Sequence, residues 1–131
     1  MCGIAGAYSF KNKTVEQEWL QNAAQSLHKR GPDNQHFVTI GKASLVHARL
    51  SIIDTSEQAH QPIYDSTGRY AIVFNGEIFN FQSVRKELEA KGVVFRTNSD
   101  TEVLLYAYIH FGTSFLHKLN GFFAFAIHDK Q

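Results

Sequence analysis

Cysteine is almost absent from this sequence, since the 131 residues contain only one, Cys2. One cysteine cannot form an internal disulfide, and a chain without disulfides fits a reducing compartment. No apolar run approaches the roughly 18 residues of a membrane-spanning helix. The N-terminus also lacks the basic and apolar regions of a signal peptide. These absences predict a cytoplasmic protein with no membrane partner.

An excess of one charge is missing as well. Lysine and arginine number 13 against 12 aspartates and glutamates, which gives a formal net charge of +1. No basic stripe indicates a nucleic-acid partner. The seven histidines are scattered, and none stands at zinc spacing with a cysteine or carboxylate. A glycine-rich phosphate loop with its lysine is not found either, so we expect no metal or cofactor in this chain.

The residues that are present indicate one α+β domain. The length suits a single domain, and 44% apolar residues can form a core. Strands in runs with interspersed helices are typical of the α+β class. Patterns of alternating or continuous apolar residues predict strands at 4–10, 37–40, 43–48, 70–74, 93–96 and 122–127.

Helices are predicted by apolar residues at helical spacing. One helix follows a capping-box pattern at Thr14, another covers about 81–91, and a third follows a capping box at Ser99. Residues 122–127 are apolar at every position, which predicts a strand buried on both faces. Because a buried strand needs neighbours and this one lies close to residue 131, we expect that the chain is the front part of a longer protein.

Cys2 directly follows Met1, and this position draws attention to the thiol. Removal of the methionine would leave a thiol and a free α-amine on the same carbon. Such an amine has a pKa near 7.7–8.0, so part of it is neutral near pH 7 and can accept the thiol proton. A retained Met1 would lock the amine in a peptide bond. Taken alone, the position is also compatible with a cysteine that stands there by chance.

Five segments of the sequence resemble a known family in their order and spacing. They are Met1-Cys2-Gly3-Ile4-Ala5-Gly6, Arg30-Gly31-Pro32-Asp33, Arg49-Leu50-Ser51-Ile52-Ile53-Asp54, Asn75-Gly76-Glu77-Ile78-Phe79-Asn80 and Ser99-Asp100-Thr101-Glu102. Together they resemble the glutaminase domain of glutamine-hydrolysing asparagine synthetases, which are class II amidotransferases with an N-terminal nucleophile. The second and third segments, together with Gln61-Pro62, separate this branch from sugar-phosphate and purine-pathway amidotransferases.

The resemblance implies an αββα sandwich of the N-terminal-nucleophile hydrolases, with residues 1–131 as the N-terminal part of a type 2 amidotransferase domain. Its C-terminal end and the synthetase domain would be missing. The implied reaction is hydrolysis of L-glutamine to L-glutamate and ammonia through a Cys2 thioester. The ammonia would serve ATP-dependent asparagine synthesis from aspartate. ATP and magnesium are expected only in the synthetase domain, and a homodimer is left open.

The resemblance also assigns the site residues. Cys2 would be the nucleophile, and the side-chain amide of Asn75 and the backbone N–H of Gly76 would stabilise the oxyanion. Arg49 would bind the α-carboxylate of glutamine, and Asp100 would bind its α-ammonium. The rest of the pocket would consist of Leu50, Ile52, Ile53 and Glu77.

Simpler explanations exist for each assignment. Asn75-Gly76 is a common turn pair, Arg49 could form a surface salt bridge, and Asp100 could stabilise a helix dipole. Glu77 could be a structural hydrogen-bonding partner, and Arg30-Gly31-Pro32-Asp33 is expected to shape a loop. For the whole chain, the alternatives are a catalytically idle docking or gating module and an amidotransferase with another acceptor.

Overall fold

The structure, a computed structural model, describes residues 2–11, 13–51 and 59–131. The elements in these ranges are β1 (Gly3–Tyr8), α1 (Gln17–Ser26), β2 (Asn34–Ile40), β3 (Ala43–Arg49), β4 (Ile63–Tyr64), β5 (Tyr70–Ile78), α2 (Phe81–Glu89), α3 (Asp100–Phe111), a 3-10 helix (Gly112–Lys118) and β6 (Gly121–Asp129). None of these helices has the length and apolar character needed to cross a membrane.

Two antiparallel sheets of three strands form the centre of the molecule. The first has the order β1-β3-β2 and the second β4-β5-β6. All residues of β3 are buried because it pairs with a strand on each side and is covered on both faces. In the second sheet, β5 occupies the same central place.

The side chains of β3 alternate between two layers, as strand geometry requires. Leu45 packs with Val73 of β5, so this face of β3 lies against the second sheet. Val46 packs with Leu20 and Ala24 of α1, which covers the other face.

The second sheet carries α2 and α3 on its outer face. Ile72, Phe74 and Ile78 of β5 pack there in the largest hydrophobic cluster, together with Val84, Leu88, Leu104 and Leu105 of the two helices. The layers therefore follow the order helix, sheet, sheet, helix, which is the predicted αββα sandwich.

The strand end predicted at Asn75-Gly76 is wrong, since β5 continues to Ile78. It continues because β6 pairs with it along its whole length, from Tyr70↔Asp129 to Ile78↔Gly121. The glycine serves close approach rather than a turn. A Cβ on Gly76 would collide with the carbonyl of Phe122 and would lie 2.6 Å from the Cα of Phe123.

Three smaller expectations also differ from the structure. Residues 93–96 form no strand, because the N–H of Arg96 donates to the carboxylate of Glu102 instead of to a neighbouring strand. At the start of α1, Glu16 is the N-cap residue and makes no side-chain cap bond, so the box at Thr14 is not formed. The side chains of β6 are exposed or partly buried, and β6 lies at the edge of the second sheet in the described residues.

Candidate active site

Seven of the nine predicted site residues line one cavity near the end of β3. They are Cys2, Arg49, Leu50, Asn75, Gly76, Glu77 and Asp100. The other two, Ile52 and Ile53, lie outside the described residues. Residues that are up to 98 positions apart in the sequence, from Cys2 to Asp100, therefore meet in one place.

The pairing of β1 with β3 places Cys2 next to Arg49. Gly3 lies opposite Ala48, so the next residues beyond them, Cys2 and Arg49, lie side by side at the end of the two strands. The backbone N–H of Leu50 donates to Cys2 Sγ at 3.3 Å, and Sγ lies 3.5 Å from the carbonyl oxygen of Leu50. The sulfur is partly buried, so it is held by the chain that leaves β3 and still borders the cavity.

The segment Arg30-Gly31-Pro32-Asp33 supports this end of β3. Arg30 Nε donates to the carbonyl oxygen of Cys2 at 3.1 Å, and the carboxylate of Asp33 accepts from the N–H of Ser51 at 2.8 Å. A Cβ on Gly31 would collide with the backbone of Ala48. These contacts are those of a loop that shapes the site, as expected for this segment.

The second sheet presents Asn75 and Glu77 towards the first sheet. Both alternate with Gly76 along β5, so they share the face of Val73, which packs against Leu45. The Oδ1 atom of Asn75 is buried and has no hydrogen-bond partner among the described residues. Buried polar atoms are rarely left without a partner. In its other orientation the same amide would direct its N–H donors to this point.

Arg49 is buried, with 4% of its surface exposed. Its side chain therefore lies inside the protein and not on the surface. A planar guanidinium at the edge of a cavity is well suited to a carboxylate, because it can donate two parallel hydrogen bonds.

Asp100 is the first residue of α3, directly after the N-cap residue Ser99. Its carboxylate accepts from the backbone N–H of Ile78 at 3.2 Å. Burial raises the pKa of Asp100, hydrogen bonds from backbone N–H groups oppose the increase, and the negative charge of Glu77 adds to it. A buried carboxylate and a buried guanidinium in one cavity can bind the ammonium and carboxylate groups of an amino acid.

Four polar residues that line the cavity were not assigned to the site by the sequence. They are Ser51, Gln61, Ser99 and Thr101. Thr101 stands inside a segment that carries the resemblance, and Gln61 belongs to the Gln61-Pro62 pair, so both carried a signal without an assigned role.

The family comparison agrees with this geometry. A family model described as a glutamine amidotransferase domain matches residues 1–131. The chain belongs to the glutamine amidotransferase domain family.

Curated relatives include glutamine-hydrolysing asparagine synthetases. Asparagine synthetase 3 of Bacillus subtilis (strain 168) is 40% identical over 139 residues, which cover 100% of this chain and 22% of the relative. Asparagine synthetase B of Escherichia coli (strain K12) is 37% identical over 132 residues, which cover 100% of this chain and 24% of the relative. The resemblance to this group is confirmed, and the chain spans less than a quarter of the length of either relative.

A solved structure confirms the predicted fold. The glutamine phosphoribosylpyrophosphate amidotransferase from B. subtilis matches this chain with a TM-score of 0.58 and 29% identity, over 69% of this chain and 22% of that one. The αββα sandwich is thus the amidotransferase fold of the N-terminal-nucleophile hydrolases.

Proposed function

We propose that this chain hydrolyses L-glutamine to L-glutamate and ammonia through a γ-glutamyl thioester on Cys2. The observation that carries the proposal is the convergence of a thiol, an amide, a guanidinium and a carboxylate from four segments around one cavity. Family membership supports it, as do the names of relatives that are described as glutamine-hydrolysing.

The charged pair would fix the α-carbon end of glutamine. Arg49 binds the α-carboxylate and Asp100 binds the α-ammonium, so the side chain of the substrate is left to extend towards Cys2. Binding at both groups orients the amide before reaction, which lowers the entropy cost of the chemical step.

The chemistry requires that Met1 has been removed. The α-amine of Cys2 takes the thiol proton while Sγ attacks the amide carbon of glutamine, which forms a C–S bond and places the negative charge on oxygen. The amine then returns the proton to the leaving nitrogen, the C–N bond breaks, and ammonia departs. Water attacks the thioester, releases glutamate and restores the thiol.

Asn75 and Gly76 would stabilise the tetrahedral intermediate. The side-chain amide of Asn75 and the N–H of Gly76 both lie on the segment of β5 that borders the cavity. Loss of one such donor in comparable sites costs about 2.7–4 kcal/mol of transition-state stabilisation.

The ammonia would pass to a synthetase domain that makes asparagine from aspartate with ATP. Support comes from the relatives, which are named asparagine synthetases and of which this chain spans 22% and 24%. A cytoplasmic location is supported by the single cysteine. A homodimer remains a prediction, which light scattering of the intact protein would test.

Covalent labelling tests the glutaminase proposal directly. The intact protein carrying this chain is incubated with a diazo-ketone analogue of glutamine, and its mass is recorded. We expect loss of Met1 and a single adduct on Cys2, with none in a Cys2→Ala control, and ammonium release from glutamine by the unlabelled protein alone. Unmodified protein that has lost Met1 and releases no ammonium would contradict the proposal and would favour the idle module.

A further inference from the structure

One edge of β5 is paired with a strand over only part of its length. On this side, β4 pairs with β5 at Ile63↔Ile72 and Tyr64↔Ala71. Beyond Ile72, no strand in the described part of the chain continues the pairing along this edge. The N–H groups that point to this edge belong to alternate residues of β5, and they need other acceptors.

Two side chains accept from this edge and leave a gap between them. Gln61 Oε1 accepts from the N–H of Phe74 at 2.6 Å, and the carboxylate of Asp100 accepts from the N–H of Ile78 at 3.2 Å. Strand alternation directs the N–H of Gly76 to the same edge, midway between the other two. This N–H is the proposed oxyanion donor, so the two side chains border its position.

Gln61 makes a second contact, with a residue of α3 that also lines the cavity. Its Nε2 donates to Thr101 Oγ1 at 3.3 Å, and Thr101 follows Asp100 in the first turn of α3. The backbone N–H of Phe74 can only donate, so it fixes the orientation of the amide and turns Nε2 towards Thr101. Gln61 is 6% exposed, so water competes little for either bond.

We propose that Gln61 is a positioning residue for glutamine hydrolysis. Its amide ties the β5 segment that holds Gly76 to the helix start that holds Asp100, and so sets the separation between the oxyanion donor and the ammonium-binding carboxylate. This inference rests on the proposed glutaminase function. It assigns Gln61 no contact with the reacting atoms.

Steady-state kinetics of the intact protein with L-glutamine test the inference. Gln61→Met keeps the size of the side chain but loses both hydrogen bonds, so we expect kcat to fall at least tenfold and KM to rise. Thr101→Val removes only the contact at the α3 side, so KM should rise about fivefold with a smaller change in kcat. Thr101→Ser keeps the hydroxyl and should restore KM. The matched control is Gln25→Met on the exposed surface of α1, which should leave both constants unchanged.

The coupling between the two residues supplies the decisive comparison. If the amide acts through Thr101, adding Thr101→Val to Gln61→Met should raise KM by less than twofold further, because neighbours in one network are not additive. Folded Gln61→Met protein with kcat and KM within twofold of wild type would overturn the inference. If Gln61→Met does not fold, equal KM values for Thr101→Val and Thr101→Ser would overturn it. The proposed function would also be rejected if the wild-type protein neither labels at Cys2 nor releases ammonium. If the wild type is active but the variants keep its kcat and KM, only this inference is rejected.

Discussion

Asp100 shows at the scale of one residue how function opposes stability. Its carboxylate is buried beside Glu77, and burial raises its pKa above the ordinary value of 3.8. A carboxyl group with a raised pKa stabilises the folded state in its protonated form, and this contribution is lost as the pH rises through the raised pKa. At pH 7 the ionised carboxylate therefore lowers the free energy of unfolding, and its proposed role in substrate binding would explain why it is present.

Replacement of Asp100 by asparagine should separate the two effects. The amide oxygen of Asp100→Asn can still accept from the N–H of Ile78, but the residue no longer binds an ammonium group. We expect KM for glutamine to rise at least tenfold, while the free energy of unfolding at pH 7 also rises, because the buried charge is gone. In the wild type, kcat/KM should fall on acidification at a higher pH than an ordinary aspartate would give, because the carboxylate is lost earlier.

Asp65 offers the control with the opposite sign. Burial raises the pKa of Asp65, but hydrogen bonds from Thr67 and from the N–H of Tyr70 together lower it by more, so the net pKa is below 3.8. Asp65→Asn should lower the unfolding free energy at pH 7 and leave KM unchanged, since Asp65 does not line the cavity. Urea unfolding and glutamine kinetics of both variants check the pair, and a stability loss in Asp100→Asn would refute the argument.

At the scale of the element, the start of α3 depends on a buried glutamate. The N–H of Glu102 donates to Ser99 Oγ at 3.2 Å, so Ser99 caps the helix and half of the predicted capping box is formed. The carboxylate of Glu102 does not return to Ser99. It accepts from the N–H and the hydroxyl of Thr97 at 2.7 Å each, so it ties the preceding loop to the helix that carries Asp100.

Glu102→Gln should destabilise the protein, because the NH2 group that replaces Oε1 is itself a donor and would face the backbone N–H of Arg96, which donates to Oε1 at 3.1 Å. We expect the free energy of unfolding to fall by about 1–3 kcal/mol, the cost of a buried donor without a partner. Glu18→Gln is the matched control, since Glu18 also stands in the first turn of a helix but is exposed. Its change should stay within about 0.5 kcal/mol, and equal losses for both variants would contradict the role of burial.

Features that depend on interactions between residues close in sequence could be predicted, and features that depend on residues far along the chain could not. The cap at Ser99 involves residues three positions apart, and the sequence predicts it correctly. Whether Asn75-Gly76 is a turn depends on β6, which follows more than 40 residues later. The contacts of Gln61 reach 13 and 40 residues along the chain, so no local pattern could indicate them. The site residues were predicted because their segments resemble a family, which encodes distant contacts that periodicity does not.

At the scale of the whole molecule, the site lies at the junction of the two sheets, and His47 is buried at that junction. By strand alternation His47 lies on the same face of β3 as Leu45 and Arg49, between the sheets. It is fully buried, and neither ring nitrogen makes a hydrogen bond of good geometry among the described residues. His47 is thus a core residue whose ring lies between the two sheets.

The pKa of His47 is lowered from 6.5 to about 4, mainly by burial; the backbone of Phe74 opposes this decrease, and the charges of Arg49 and His60 contribute to it. A lowered pKa means that the stabilising contribution is present above pH 6.5 and is lost as the pH falls through about 4, because the unfolded chain binds the proton first. The full loss corresponds to about 3 kcal/mol. His47→Leu should remove this dependence. As the pH falls from 6.5 to about 4, the unfolding free energy of the variant should therefore rise steadily relative to that of the wild type.

The cross-strand neighbour of His47 supplies the control. His36 lies directly opposite His47 on β2 but is exposed at the edge of the sheet. His36→Leu should leave the pH dependence of unfolding close to that of the wild type, since its side chain is exposed in the folded protein. Urea unfolding at several pH values distinguishes the variants. If the two substitutions flatten the profile equally, the acid sensitivity does not come from the junction of the sheets. If only His47→Leu flattens it, the burial of His47 between the sheets is its source.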